Sequence, residues 1–126
     1  MKKITLKDVV ENARQAFVVR GEGPAYFPGK GCMYLSPNGC KCAVGHSIPD
    51  GHPAQKYPHR FLQLVLRFPD LWAEDIIELS KKPRALNDIQ NRMHDNIIDI
   101  SNGTAIFTKT PEEINAIYDE ILLQYS

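Results

Sequence analysis

The sequence predicts an α+β fold: a mostly helical single domain over 1–126, with about five helices packed around one β-hairpin. Three observations carry this. Apolar residues recur at helical spacing in several stretches, most of them preceded by a capping residue or a proline. One stretch, GCMYLSPNGCKC, sets short runs suited to strands on either side of a Pro-Asn-Gly turn. The chain of 126 residues, 43% hydrophobic and 24% charged, suits one core and one domain.

Thr5 and Asp8 stand three apart, as a capping pair does, and Leu6, Val9, Val10, Ala13 and Phe17 follow at helical spacing. A helix is therefore expected over 6–19, stopped by Gly-Glu-Gly-Pro at 21–24. Residues 21–31, rich in Gly and Pro, read as a loop carrying Tyr26 and Phe27. The expected hairpin pairs 32–35 with 39–42 around Ser-Pro-Asn-Gly, and it needs helices to pack on, since a lone hairpin is marginal in water. A short helix begins near Cys42 and ends before Pro49 and the Asp50-Gly51 turn. Pro58 opens a helix over 58–68 with Phe61, Leu62, Val65 and Phe68 on one face, and 71–79 continues as another. Pro83 opens the strongest stripe, Leu86, Ile89, Met93, Ile97 and Ile100, with Asn102-Gly103 closing it. Residues 104–108 read as a strand or extended link. Thr110-Pro111-Glu112-Glu113 is a full helix start, followed by Ile114, Ile117, Ile121 and Leu122. The expected core is Leu6, Val10, Phe17, Phe61, Val65, Trp72, Leu86, Ile89, Met93, Ile97, Ile114, Ile117 and Ile121.

Charge narrows the function. Lys+Arg and Asp+Glu are both 15, so net charge is zero, which argues against a dedicated nucleic-acid or anionic-membrane partner. The longest apolar run, FLQLVL at 61–66, ends at Arg67, far short of a membrane span. Lys7, Asp8, Glu11 and Arg14 break what would be the apolar part of a signal peptide, so a cytoplasmic location is expected. The three cysteines, Cys32, Cys40 and Cys42, fit reduced thiols better than a disulfide framework.

Three constellations could carry chemistry. Cys32, Cys40, Cys42 and His46 are zinc-type ligands, although their spacing matches no common finger or ribbon; the plain alternative is buried packing on a hairpin. Cys42 followed by small residues at a helix start would gain from the helix dipole, and with His94 as base it would form a cysteine hydrolase or acyltransferase site. Asp95 is an awkward orienter for His94 if both lie on one helix, since neighbours point about 100° apart; Asp50 or Asn91 would serve instead. The alternative is that His94 anchors a loop. The third group, His52, Lys56, Tyr57, His59, Arg60 and Arg67, together with Lys81, Lys82 and Arg84, would cradle a phosphate-bearing ligand or simply form solvated surface.

The blocks Cys32-Met33-Tyr34, Gly39-Cys40-Lys41-Cys42-Ala43-Val44-Gly45 and Ile48-Pro49-Asp50, with Leu86-Asn87-Asp88-Ile89-Gln90-Asn91-Arg92-Met93-His94-Asp95 downstream, carry a resemblance. They resemble small uncharacterised proteins of tailed phages and prophages, which carry a basic residue in place of Cys40. The resemblance implies an intracellular phage-type accessory protein. Its expected role is to bind or sequester a host protein or a small anionic, host-derived ligand such as a nucleotide, in the host cytoplasm and without a cofactor or metal. Tyr26, Cys32, Tyr34, Lys41, His46, Tyr57 and Arg60 are the expected recognition residues. The alternatives are a hydrolase with Cys42, His94 and Asp95 at its centre, and a structural zinc domain.

Overall fold

The first helix begins with the reciprocal cap the sequence predicts. The Asp8 N–H donates to Thr5 Oγ1 at 3.0 Å, and the Thr5 N–H donates to Asp8 Oδ2 at 3.0 Å. The computed structural model describes residues 2–24, 34–35, 41–57, 60–82, 84–101 and 104–125. Helix α1 (Leu6–Arg14) buries Leu6, Val9, Val10 and Ala13, then widens into a π-helical turn over Gln15–Val19, where the Arg20 N–H reaches back to Gln15 O. That wider turn buries Ala16 and Phe17.

Helices α2 (Phe61–Arg67), α3 (Glu74–Ser80) and α4 (Ala85–Met93) pack on one another, and the last helix, α5 (Pro111–Tyr125), packs on α1 and α4. Long-range polar groups finish the helix ends. Gln90 Oε1 on α4 accepts the Phe61 N–H of α2 at 3.0 Å, and Asp75 Oδ2 on α3 accepts the Leu6 N–H of α1 at 3.0 Å. Glu113 and Thr110 form the reciprocal cap of α5. Short 3₁₀ turns at Gly45–Ser47, Pro53–Lys56, Pro69–Leu71 and Asp95–Ile97 link these pieces. Ile4 forms a parallel bridge to Trp72. Trp72, Tyr118 and Phe61 are among the largest fully buried side chains, each contributing about 1.5–3 kcal/mol by burial.

Every residue expected in the core is buried except Ile117, which is partly buried; Tyr118 takes the interior position beside it and donates to Met93 O at 2.9 Å. The α+β class also stands, with five α-helices and one antiparallel hairpin among the described residues.

The hairpin is not where the sequence placed it. Of the expected hairpin only Tyr34, Leu35, Lys41 and Cys42 lie among the described residues, and none of them is in a strand. The observed strands are β1 (Ile98–Ser101) and β2 (Thr104–Phe107), paired Ile98 to Phe107, Asp99 to Ile106, Ile100 to Ala105 and Ser101 to Thr104. The helix expected to run on through Ile100 therefore ends at Met93. His94 leaves helical geometry at φ −146° and ψ −63°, which lets its ring turn inward. Asp, Asn and a β-branched run favour that exit, and the same Ile spacing then reads as a strand edge.

Candidate functional site

Phe17 is the hub of the interior. Its ring meets His46 edge-on at 5.0 Å, Phe107 at 4.9 Å and His94 at 6.0 Å, and His94 meets Phe107 at 6.2 Å. The π-helical turn of the first helix, the 3₁₀ turn after Cys42, the end of α4 and strand β2 thus converge on one ring.

The helix break at His94 changes what Asp95 can do. On a continuous helix the two side chains would diverge; off it, Asp95 Oδ1 stands 3.1 Å from His94 Nδ1. The geometric objection to Asp95 as a partner of His94, which assumed both on one helix, therefore does not apply. The other Asp95 oxygen receives Arg60 Nη1 at 2.9 Å, and Arg60 Nη2 also donates to Asn91 Oδ1. His94 is wholly buried, and its Nε2 has no hydrogen-bond partner among the described residues.

Cys42 sits in the same interior but makes no hydrogen bond to His94. Its sulfur accepts the Gly45 N–H at 3.4 Å, and burial pushes the thiol up to about 12, with the Asp95 charge adding to the rise. The helix start expected at Cys42 is a single 3₁₀ turn, Gly45–Ser47, and its N–H does not offset the loss of solvation. The thiol is protonated at neutral pH, unlike an activated nucleophile. Among the described residues no three His, Cys, Asp or Glu side chains gather to hold a metal ion, and Cys32 and Cys40 lie outside them.

The expected recognition residues do not form one open surface. Tyr26 and Cys32 lie outside the described residues. Tyr34 is buried, its carbonyl lies against Gly45, and burial raises its phenol well above the usual range. Lys41 is paired to Asp50 at 2.8 Å, which holds that carboxyl low, so Asp50 is not a partner for His94. His46 is half-buried against Phe17, and desolvation lowers its pKa. The Tyr57 ring stands on Phe68 at 5.5 Å, and Arg60 is held by Asp95 and Asn91.

The open feature lies elsewhere. A groove of about 550 Å³ runs along the start of α4 toward the end of α5. It is lined by Lys82, Arg84, Ala85, Asn87, Asp88 and Asn91 and by Tyr125 of α5. Neither Lys82 nor Arg84 makes an ion pair with a described residue. Arg84 precedes α4 without a side-chain cap, so the first-turn N–H groups add partial positive charge beside it. Asp88 is engaged, receiving Tyr125 Oη at 2.6 Å and Arg92 Nη1 at 3.4 Å. The sequence signalled the cations but not Tyr125 or the two asparagines, because only the packing of α5 on α4 brings these together.

A second, smaller groove of about 270 Å³ lies beside His52, Phe68 and Asp70, but its cation, Arg67, rests over the Phe68 ring at 5.0 Å. Among the described residues no helix is long and apolar enough to cross a membrane. Comparison with family models, with curated proteins and with solved structures found no match to this chain.

Proposed function

We propose that this chain is a small binding protein for an anionic small molecule, held in the groove at the start of α4. The observation that supports it is the pair of cations, Lys82 and Arg84, neither in an ion pair with a described residue, beside the first turn of α4 in a groove of about 550 Å³. Cations left unpaired next to free N–H groups favour a ligand that brings its own negative charge. The phage-type resemblance of the sequence would imply such a protein acting in the host cytoplasm, where it would sequester a host-derived ligand. Two-dimensional NMR titration with inorganic phosphate tests this reading. Shifts confined to residues 82–88 are expected, and they should vanish in the Lys82→Gln/Arg84→Gln variant. No shift at millimolar phosphate would remove the reading.

The cysteine-hydrolase reading is second, and one observation favours it: Asp95 Oδ1 stands 3.1 Å from His94 Nδ1 while His94 Nε2 bonds no described residue. The buried, protonated Cys42 and the lack of a Cys42–His94 bond weigh against it.

A further inference from the structure

We infer that the groove selects a nucleoside monophosphate, with the phosphate on Lys82 and Arg84 and the base on the Tyr125 ring. The inference rests on the anion-binding reading above and deepens it. Size is the first reason. A groove of about 550 Å³ lies within the range of roughly 300–1,000 Å³ that accommodates whole small molecules, far more than one phosphate fills. The second is the fixed aromatic face. Tyr125 Oη donates to Asp88 Oδ2 at 2.6 Å, and Asp88 is held in turn by Arg92, so the ring that lines the groove is anchored at its hydroxyl end. A planar base stacks on such a face without needing sequence-like readout.

The third reason is the polarity of the lining. Asn87 spends its oxygen on the Leu62 N–H at 3.5 Å, and Asn91 spends its oxygen on Arg60. Each amide oxygen thus has one of its two acceptor sites occupied, and neither NH₂ group bonds a described residue, so both remain as donors. With Asp88 Oδ2 taken up by Tyr125 and Arg92, the donors lining the groove are the Lys82 and Arg84 cations and the Asn87 and Asn91 amides. Phosphate oxygens and the ring nitrogens and carbonyls of a base are the matching acceptors. A sugar phosphate would satisfy the cations but leave the Tyr125 face unused.

Calorimetric titration with adenosine monophosphate, ribose 5-phosphate and inorganic phosphate separates these cases. Adenosine monophosphate is expected to bind about tenfold tighter than ribose 5-phosphate, the gain typical of one stacked ring. Tyr125→Leu should erase that difference while leaving ribose 5-phosphate unchanged. Tyr125→Phe, which keeps the ring, should retain the difference. Equal affinity for the two phosphorylated compounds, or a preference that survives Tyr125→Leu, would overturn the inference and leave the anion site standing. If none of the three binds, the anion-binding reading fails and the inference with it.

Discussion

Replacing Gly45 with alanine probes how the Tyr34 segment enters the interior. A Cβ at Gly45 would stand 2.0 Å from Tyr34 O, 2.8 Å from its carbonyl carbon and 3.0 Å from its Cα. Carbon–oxygen contact needs about 3.4 Å, so one backbone must move by more than about 1 Å. No flexible side-chain end can yield instead, because all three obstructing atoms belong to the main chain. Overpacking of this kind typically costs about 1–3 kcal/mol. Here the upper end applies, since relief requires lifting a buried Tyr34 whose burial alone is worth about 1.5–3 kcal/mol. We expect Gly45→Ala to lose about 3 kcal/mol in urea unfolding and about 10 °C in thermal midpoint. The control is Gly23→Ala, where a Cβ meets nothing within 4 Å, and where a change of no more than about 0.5 kcal/mol is expected. If Gly45→Ala matches the control, the Tyr34 carbonyl does not lie against residue 45, and the buried position of Tyr34 must be withdrawn.

Three more predictions follow from the interior. Cys42 should resist iodoacetamide in the native protein at mildly alkaline pH and react in urea, read by mass spectrometry of its peptide, because burial pushes its thiol up to about 12. Rapid native labelling at or below neutral pH would instead reveal an activated thiolate and restore the hydrolase reading. Tyr118→Phe should cost about 1 kcal/mol in urea unfolding by leaving the buried Met93 carbonyl without its donor; no loss would mean the 2.9 Å bond contributes nothing net. His46 sets a pH dependence: desolvation holds its folded pKa below the usual 6.5, so the unfolded chain takes up the proton first as pH falls. The stability contributed by this group is complete above 6.5 and declines as pH falls toward and through the folded value. The thermal midpoint of the wild type should therefore drop more than that of His46→Phe between neutral pH and about pH 5, and equal drops would count against a desolvated imidazole.

Much of the fold is legible because its causes are local. Thr5 with Asp8 and Thr110 with Glu113 each close hydrogen bonds over three residues, so the residue types and their spacing are enough to place those helix starts. The apolar stripes are equally local, which is why the expected core is buried almost throughout. The hairpin shows where that stops. Ile97 and Ile100 fit helical spacing, but Ile98 and Ile100 also alternate as in a strand, and Asn102-Gly103 suits a helix end as well as a hairpin turn. His94 turning inward toward Phe17 and Phe107 goes with the strand outcome, a contact between elements far apart in the chain.

The candidate sites divide the same way. Residue types alone nominated Cys42, His94, Asp95 and the cations at Lys82 and Arg84. Tertiary packing decided what each can do: it brings Asp95 to His94 by ending the helix at Met93, before both, and it silences Cys42 by burial. It also forms the groove by packing α5 on α4, so that Tyr125 lines it together with Lys82 and Arg84. Hydrogen bonds across a few residues can be read along a chain; solvation and the meeting of distant side chains are properties of the assembled core, and those set the chemistry here.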